Sequence, residues 1–356
     1  MPRALLVNDG SFPAPGSLGG TGKVYTNARI PATGSAAVDR EDAASYAAGG
    51  QSVAGWNTQM TALSRLKLAV VQLAPGLLEL ERNVERHLDL IADARARGAD
   101  VVVFPELSLT GYGAGAQADA IAMSLEGREL DPNIEKLAVA AGGMTVLVGF
   151  VEEGYGAQFF NSVAALRSGS LVHVHRKLNL ANYGAMEEAK YFAQGRYLST
   201  FELPGPFTAA TLVCSDMWNP ALVYLAALHG ATLLIAPTNS SLDLDSGDFE
   251  KPHRWDLALE FYASLYGMPI AFANRVGTEA RHQFWGGSRI LDARGRTVAK
   301  AGPDEETTLL ADIDYQDVRA ARFQLPTVRD SNLALIHREI DRLARKVGVP
   351  RVVRDE

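Results

Sequence analysis

Residues 209–220 read A-A-T-L-V-C-S-D-M-W-N-P and contain Cys214, the only cysteine of the chain. Apolar and β-branched residues precede this cysteine and predict a short buried strand. Because Asn is a good helix cap and Pro favours the first helical position, Asn219 and Pro220 predict a helix that runs to His229. The thiol is therefore expected between a strand and a helix N-terminus, a position that favours the thiolate.

This cysteine can be interpreted in two ways. Most free cysteines are small buried apolar side chains. Near a helix N-terminus, a thiol is instead a candidate nucleophile. The stretch alone leaves both interpretations open, so other parts of the sequence must decide between them.

The composition excludes several classes of protein. The chain has 356 residues, a formal net charge of −7 and 47% hydrophobic residues, and it has no basic run with interleaved aromatics, which argues against a nucleic-acid partner. One cysteine excludes an intrachain disulfide framework and a Cys-rich zinc site. No apolar run reaches the length of a membrane span, and the N-terminus is too short in apolar length for a signal peptide. We therefore expect a cytoplasmic protein that does not interact with membranes.

Residues 1–60 form a Gly/Ala-rich N-terminal arm. They contain nine Gly and eleven Ala, but only nine Leu, Ile, Val or Phe, too few to build a core alone. Two interpretations remain open: a disordered tail, or an arm that wraps a neighbouring subunit or lies over the domain.

Residues 66–326 are predicted to form one domain. Residues 66–73 (L-K-L-A-V-V-Q-L) predict a strand, Asn83 can cap a helix over residues 84–97, and residues 100–104 predict a buried strand. This βαβ unit implies parallel pairing, and hairpins follow it later in the chain. Sheets covered by helices on one side and by another sheet on the other would satisfy the pattern. Residues 327–356 are expected to form a helical extension, for which a dimer interface is one expected position.

Three chemically reactive residues directly follow predicted strands. Glu106 ends V-V-V-F-P-E, Lys177 ends L-V-H-V-H-R-K and Cys214 ends T-L-V-C. Because strand ends of adjacent units meet at one rim, these side chains could lie together. Cysteine would then be the nucleophile, glutamate the base and lysine a fixed positive charge for an oxyanion. A loop ion pair for Glu106 and a surface position for Lys177 are the alternatives. His173 and His175 could form a metal pair, but no third ligand is visible, so no metal is expected.

The blocks F-P-E-L-S-L-T-G-Y (104–112), H-R-K-L-N-L-A-N-Y-G-A-M-E-E-A-K-Y-F (175–192) and L-V-C-S-D-M-W-N-P (212–220) resemble the three motifs of the carbon–nitrogen hydrolase, or nitrilase, superfamily. Their order and spacing agree with this superfamily. The resemblance implies an α/β fold, a four-layer αββα sandwich of two mixed sheets face to face with helices outside. It also implies a homodimer or larger homo-oligomer that uses no cofactor.

The resemblance also assigns roles to individual residues. Cys214 would be the nucleophile, Glu106 the general base and acid, and Lys177 the oxyanion stabiliser. A second glutamate would hold substrate or water, and by its position this is Glu188, with Glu187 the less favoured neighbour. The backbone N–H of Ser215 would assist at the oxyanion. An amide would give ammonia and a thioester, which water would then release as the acid.

The residues after the cysteine favour one branch of the superfamily. The sequence C-S-D replaces the C-W-E of typical nitrilases, and C-x-D-x-W-x-P looks closer to the glutaminase domains of NAD synthetases and to related amidases. Because about 30 residues follow position 326, a stand-alone amidase acting on a small amide is expected. Tyr112, Tyr183 and Trp218 would line its pocket, or pack in the core. A nitrilase and a catalytically idle oligomeric scaffold are the alternatives.

Overall fold

The computed structural model describes residues 64–125, 130–243 and 250–348. The N-terminal arm predicted over residues 1–60 lies outside these ranges. Within them, none of the helices has both the length and the apolar character needed to cross a bilayer.

The first sheet has seven strands among the described residues, in the order β16-β1-β2-β4-β5-β6, with β3 paired to β4. Strands β1, β2 and β4 are parallel, and β16, β5 and β6 are antiparallel to their neighbours. The strands are β1 (Arg65–Gln72), β2 (Val101–Val103), β3 (Met123–Ser124), β4 (Thr145–Gly154), β5 (Gln158–Arg167), β6 (Ser170–Arg176) and β16 (Thr307–Asp314).

The second sheet has six strands in the described ranges, in the order β15-β14-β11-β9-β8-β7, with β8, β9 and β11 parallel. A separate sheet, β10-β13-β12, is fully antiparallel. The strands are β7 (Thr200–Glu202), β8 (Thr208–Thr211), β9 (Leu233–Thr238), β10 (Ser241–Asp243), β11 (Ile270–Asn274), β12 (Val276–Glu279), β13 (His282–Trp285), β14 (Arg289–Leu291) and β15 (Thr297–Lys300).

Helices connect the parallel strands and flank the sheets. They are α1 (Leu80–Ala96), α2 (Ala118–Ile121), α3 (Pro132–Ala141), α4 (Pro220–Leu228), α5 (Lys251–Tyr266), α6 (Tyr315–Gln324) and α7 (Leu333–Val347), with short 3₁₀ turns at Tyr112–Gln117, Glu188–Lys190 and Cys214–Trp218.

Strand β1 shows why the two large sheets pack face to face. Its side chains alternate between two apolar clusters, because successive residues of a strand point to opposite faces. Leu68 and Val70 share a buried cluster with Ile235 of the second sheet. Val71 belongs instead to the cluster that contains Ile91 of α1. One face of the first sheet therefore packs on the second sheet and the other on helices, which confirms the αββα sandwich.

Of the two helix starts predicted from capping residues, the start of α4 is confirmed and the start of α1 is wrong. Asn219 caps α4 by accepting a hydrogen bond from the N–H of Ala221. Helix α1 begins at Leu80, before the predicted residue 84, and Asn83 is not its cap. The Asn83 side chain is buried and bonds to backbone groups of Gly76 and Leu109 instead. A tertiary contact therefore replaces the local cap that the sequence suggests.

Gly149 allows β4 to lie against the turn that follows β2. A Cβ atom at this position would stand 2.4 Å from the backbone N of Leu107 and 2.7 Å from the carbonyl oxygen of Pro105. These are backbone atoms of the segment that carries Glu106, so they cannot move aside independently. The glycine is therefore required for the position of Glu106.

We expect Gly149→Ala to lower the free energy of unfolding by about 2 kcal/mol or more, because overpacking against backbone forces a main-chain shift. Gly143→Ala is the matched control, since a Cβ there meets no atom within 4 Å. Urea denaturation of the three proteins measures the effect. Equal midpoints for both variants would contradict the prediction.

Candidate active site

Four side chains from separate parts of the chain form a buried cluster. Glu106 follows β2, Lys177 follows β6, Glu188 begins a short turn and Cys214 follows β8. The Nζ of Lys177 donates to Oε1 of Glu106 at 2.6 Å and to Oε1 of Glu188 at 2.8 Å. The structure therefore brings together the residues that were predicted from the ends of strands in both large sheets.

The carboxylate of Glu106 accepts hydrogen bonds at both oxygens. In addition to Lys177, the side-chain amide of Asn161 donates to Oε1 at 2.7 Å. The backbone N–H of Asn239 donates to Oε2 at 2.8 Å, and its side-chain amide donates to the Glu106 carbonyl at 2.8 Å. These contacts fix a fully buried carboxylate in one orientation.

The structure places Glu188, and not Glu187, in the cluster. Besides Lys177, the Glu188 carboxylate accepts from the Tyr112 hydroxyl at 3.0 Å and from the N–H of Ala181 at 2.9 Å. Burial raises the pKa of Glu188, although the ammonium of Lys177 acts in the opposite direction. Glu187 is largely exposed.

Cys214 is 2% exposed and adopts a left-handed conformation with φ of 45°. Burial raises the pKa of its thiol well above the ordinary value, and the charge of Glu106 raises it further. The expectation that helix α4 would favour a resting thiolate is therefore wrong. The helix begins at Pro220, six residues after the cysteine, so its N-terminal dipole cannot offset desolvation.

Lys177 and the N–H of Asn239 act on the thiol in the opposite sense, since both lower its pKa. These two groups and the carboxylates of Glu106 and Glu188 are therefore all within electrostatic reach of Cys214. A thiol that rests protonated beside a buried carboxylate needs that carboxylate to take its proton.

Asp216 fastens the cysteine turn to the end of β6. Its carboxylate accepts from the N–H groups of Leu178 and Asn179 at 3.0 and 2.6 Å and from the N–H of Val213 at 3.0 Å. It also contacts Nε2 of His175 at 2.9 Å. The acidic residue in C-S-D is the only local signal of this role, which was not predicted.

The two histidines of β6 point to different partners. His175 is bound to Asp216, whereas His173 stacks on Phe201 with ring centroids 4.8 Å apart. Burial lowers the pKa of His173 to about 4. Over the ranges 64–125, 130–243 and 250–348, no group of three His, Cys, Asp or Glu side chains is placed to hold a metal ion.

The remaining predicted site residues have different surroundings. The Ser215 hydroxyl donates to the carbonyl of Asn179. Tyr183 is 43% exposed, and its phenol is within electrostatic reach of Cys214. Trp218 packs on Trp255, with ring centroids 4.5 Å apart, at the edge of the main core.

A cleft of about 370 Å³ opens beside the cluster. Tyr112 and Glu188 line it, together with Glu187, Arg281 and His282. Tyr112 therefore contacts both the cleft and the carboxylate of Glu188, which is itself bound to Lys177. The cleft therefore borders the cluster at Glu188.

The family of the chain follows from its similarity to known proteins. Residues 67–323 match the model of the carbon–nitrogen hydrolase family. The chain belongs to the carbon–nitrogen hydrolase family. It is 31% identical to an aliphatic nitrilase of Sinorhizobium fredii, over 75% of this chain and 92% of the nitrilase.

Two further similar proteins are a longer synthetase, found by its sequence, and an amidase of known structure. A glutamine-dependent NAD(+) synthetase of Thermotoga maritima is 29% identical over 72% of this chain, which spans only 43% of the synthetase. An amidase of Nesterenkonia sp. AN1 has the same fold, with a TM-score of 0.63, 23% identity and coverage of 77% and 96% of the two chains. In that structure the active-site cysteine carries the acetamide moiety of fluoroacetamide.

His87 supports the turn that carries Glu106. It is fully buried and stacks on Phe104, with centroids 4.1 Å apart. Its Nδ1 lies 2.7 Å from the carbonyl of Asn83 and its Nε2 2.9 Å from the hydroxyl of Ser108. Because a hydroxyl can donate to a neutral imidazole, this environment suits the uncharged ring. Burial lowers the pKa of His87 to about 4.

We therefore expect stability to fall as the pH drops from 6.5 towards 4. The unfolded histidine takes up a proton near pH 6.5 and the folded one only near 4, so the His87 contribution is fully present at pH 7. By linkage it loses about 2 kcal/mol by pH 5. Chemical denaturation at several pH values checks this, with His87→Gln as the variant that lacks the titration. An equal pH dependence in both proteins would contradict the assignment.

Proposed function

We propose that the protein hydrolyses a small carboxylic amide to the acid and ammonia through a thioester on Cys214. The observation that carries the proposal is the buried cluster of one thiol, one ammonium and two carboxylates. A lysine held between two carboxylates is far more elaborate than packing requires, since burying three charged groups is costly. The covalently modified cysteine of the Nesterenkonia amidase supports the same use of the thiol.

The first half of the reaction forms the thioester. Glu106 takes the thiol proton as Sγ of Cys214 attacks the amide carbonyl, and the electron pair of the C=O bond moves to oxygen. Lys177 and the N–H of Ser215 stabilise this oxyanion. The C–N bond then breaks, and the nitrogen leaves as ammonia with the proton held by Glu106.

The second half releases the acid. Glu106, again ionised, takes a proton from water as the water oxygen attacks the thioester. The tetrahedral intermediate expels Sγ, which recovers its proton from Glu106. Glu188 holds Lys177 and, through its place in the cleft, helps to orient substrate or water. No step consumes a redox partner.

A nitrile is the second candidate substrate, because the Sinorhizobium nitrilase shares 31% identity with this chain. Nitrile hydrolysis would use the same thiol, base and lysine. The C-S-D sequence supports the amide. A catalytically idle scaffold is the third candidate. The presence of all four side chains of the cluster argues against it.

We expect the protein to release ammonia from a member of a panel of small amides that includes glutamine. Glu188→Gln should lower kcat by at least about a hundredfold, because the amide weakens the hold on Lys177, whereas Glu187→Gln should keep kcat within about threefold. Cys214→Ala should abolish turnover and the acyl adduct seen by mass spectrometry.

Persistent ammonia release by Cys214→Ala would remove the thiol mechanism. Release from nitriles but not from amides would identify a nitrilase. A folded wild-type protein that acts on neither class would favour the scaffold. Because the nucleophile is a thiol that must stay reduced, a reducing compartment such as the cytoplasm is part of this proposal.

We also propose that the enzyme is a homo-oligomer in which α7 helices of two copies pair. Apolar residues recur with alternating spacings of three and four, as in a coiled coil, and none of them is buried within the described chain. This apolar stripe consists of Leu333, Ile336, Ile340, Leu343 and Val347. Glu339 and Lys346 flank the stripe on the same side, so an antiparallel pair would allow opposite charges of the two copies to meet.

Ile340→Asp should therefore lower the mass of the assembly in sedimentation experiments on the full chain, because it places a charge inside the pair. Leu335→Asp is the matched control, since this leucine is exposed but lies off the stripe. A smaller assembly for Ile340→Asp alone supports the pairing. An unchanged mass for both variants would show that the stripe does not join copies of this chain.

A further inference from the structure

The two oxygens of the Glu106 carboxylate are bound differently. Oε1 accepts two side-chain hydrogen bonds, from Lys177 at 2.6 Å and from Asn161 at 2.7 Å. Among the described residues, Oε2 accepts one hydrogen bond, from the backbone N–H of Asn239 at 2.8 Å. Because each carboxylate oxygen has about two lone-pair sites, Oε1 is saturated and Oε2 keeps one site open.

Cys214 is within electrostatic reach of this carboxylate, because the charge of Glu106 raises the pKa of the thiol. The backbone N–H of Asn239 binds Oε2 and leaves its second lone-pair site open, whereas Oε1 is occupied twice. The vacant acceptor site for the thiol proton is therefore at Oε2.

Asn161 contacts both Glu106 and the backbone of Lys177. It lies in β5 opposite Val151 of β4, and its side chain is fully buried. Its backbone carbonyl accepts a hydrogen bond from the backbone N–H of Lys177 at 2.9 Å, while its side-chain amide donates to Glu106. One asparagine thus fixes the backbone of the lysine and the carboxylate of the base.

We propose that Asn161 is a positioning residue that reserves Oε1 and thereby makes Oε2 the one oxygen of Glu106 that carries the proton. The inference rests on the proposed amide hydrolysis and specifies its proton path. The proton moves from Sγ to Oε2 as the S–C bond forms, and from Oε2 to the amide nitrogen as the C–N bond breaks. In this proposal Asn161 acts through Glu106.

Removing the amide donor has a defined consequence. Without it, the Glu106 carboxylate loses a hydrogen bond that favours its ionised form, and Oε1 also becomes open to protonation. Both effects weaken Glu106 as the acceptor of the thiol proton. The acid limb of the kcat/KM profile should move up by about one pH unit, the size expected for one hydrogen bond to a charged group.

The test compares Asn161→Ala with Asn83→Ala, a matched loss of a buried asparagine side chain. Among the described residues, the Asn83 side chain binds backbone groups of Gly76 and Leu109 and does not contact Glu106. Both variants should lose stability, but only Asn161→Ala should shift the acid limb of the kcat/KM profile. The KM of Asn161→Ala should stay within about threefold of wild type, because in this proposal Asn161 acts through Glu106. Asn161→Ser, whose hydroxyl is too short to reach Oε1, provides a second variant should the alanine protein fail to fold.

A second readout does not depend on turnover. The rate at which iodoacetamide alkylates Cys214 should rise with pH through the same acid limb, because Glu106 must be ionised to take the thiol proton. This limb should also move up by about one unit in the Asn161 variants. If the wild type hydrolyses no amide but the alkylation limb still moves, the proposed function fails and the proton assignment stands. An alkylation profile that keeps its shape and position in both Asn161 variants would overturn the assignment.

Discussion

The site depends on an ammonium group buried between two carboxylates. Lys177 contacts Glu106 and Glu188 at hydrogen-bond distance, and all three side chains are at most 4% exposed. Desolvation alone would favour a neutral amine, but the two carboxylates hold the pKa of Lys177 well above its ordinary value. The lysine in turn separates two acidic groups that would otherwise repel each other in a medium with little water. Each charge is therefore tolerated only because the others are present.

Because the charged groups depend on one another, the position of the backbone affects the site. The charged groups must lie at hydrogen-bond distance from one another, so the strand ends that carry them must be held in place. Gly149 lets β4 approach the turn that carries Glu106, and Gly195 does the same at Lys177, where a Cβ would stand 2.1 Å from the carbonyl oxygen of Arg176. Asp216 then ties the cysteine turn to the end of β6. Small residues and backbone hydrogen bonds thus set the distances on which the ion cluster depends.

The sequence predicted those parts that depend on local patterns. Alternating apolar residues indicated β1, and the residues directly after strands indicated Glu106, Lys177 and Cys214. It could not predict contacts made across the fold, such as the amide of Asn161 on a carboxylate 55 residues away. The preference for a resting thiolate was wrong for the same reason, because local position suggested helix stabilisation while burial is a property of the assembled sheets. The roles of the site residues stay predictions that kinetics must test.

The protonated thiol follows from the charge of the cluster. Releasing its proton to solvent would add a negative charge to a buried site that already holds two carboxylates and one ammonium, and burial makes this unfavourable. Transfer of the same proton to Glu106 leaves the net charge of the cluster unchanged, whatever the state of Glu188. In the proposed reaction the negative charge would pass from the base to the sulfur and on to the substrate oxygen, always within reach of Lys177. A buried thiol of high pKa is thus compatible with nucleophilic attack, because the nucleophile forms only while substrate can accept the charge.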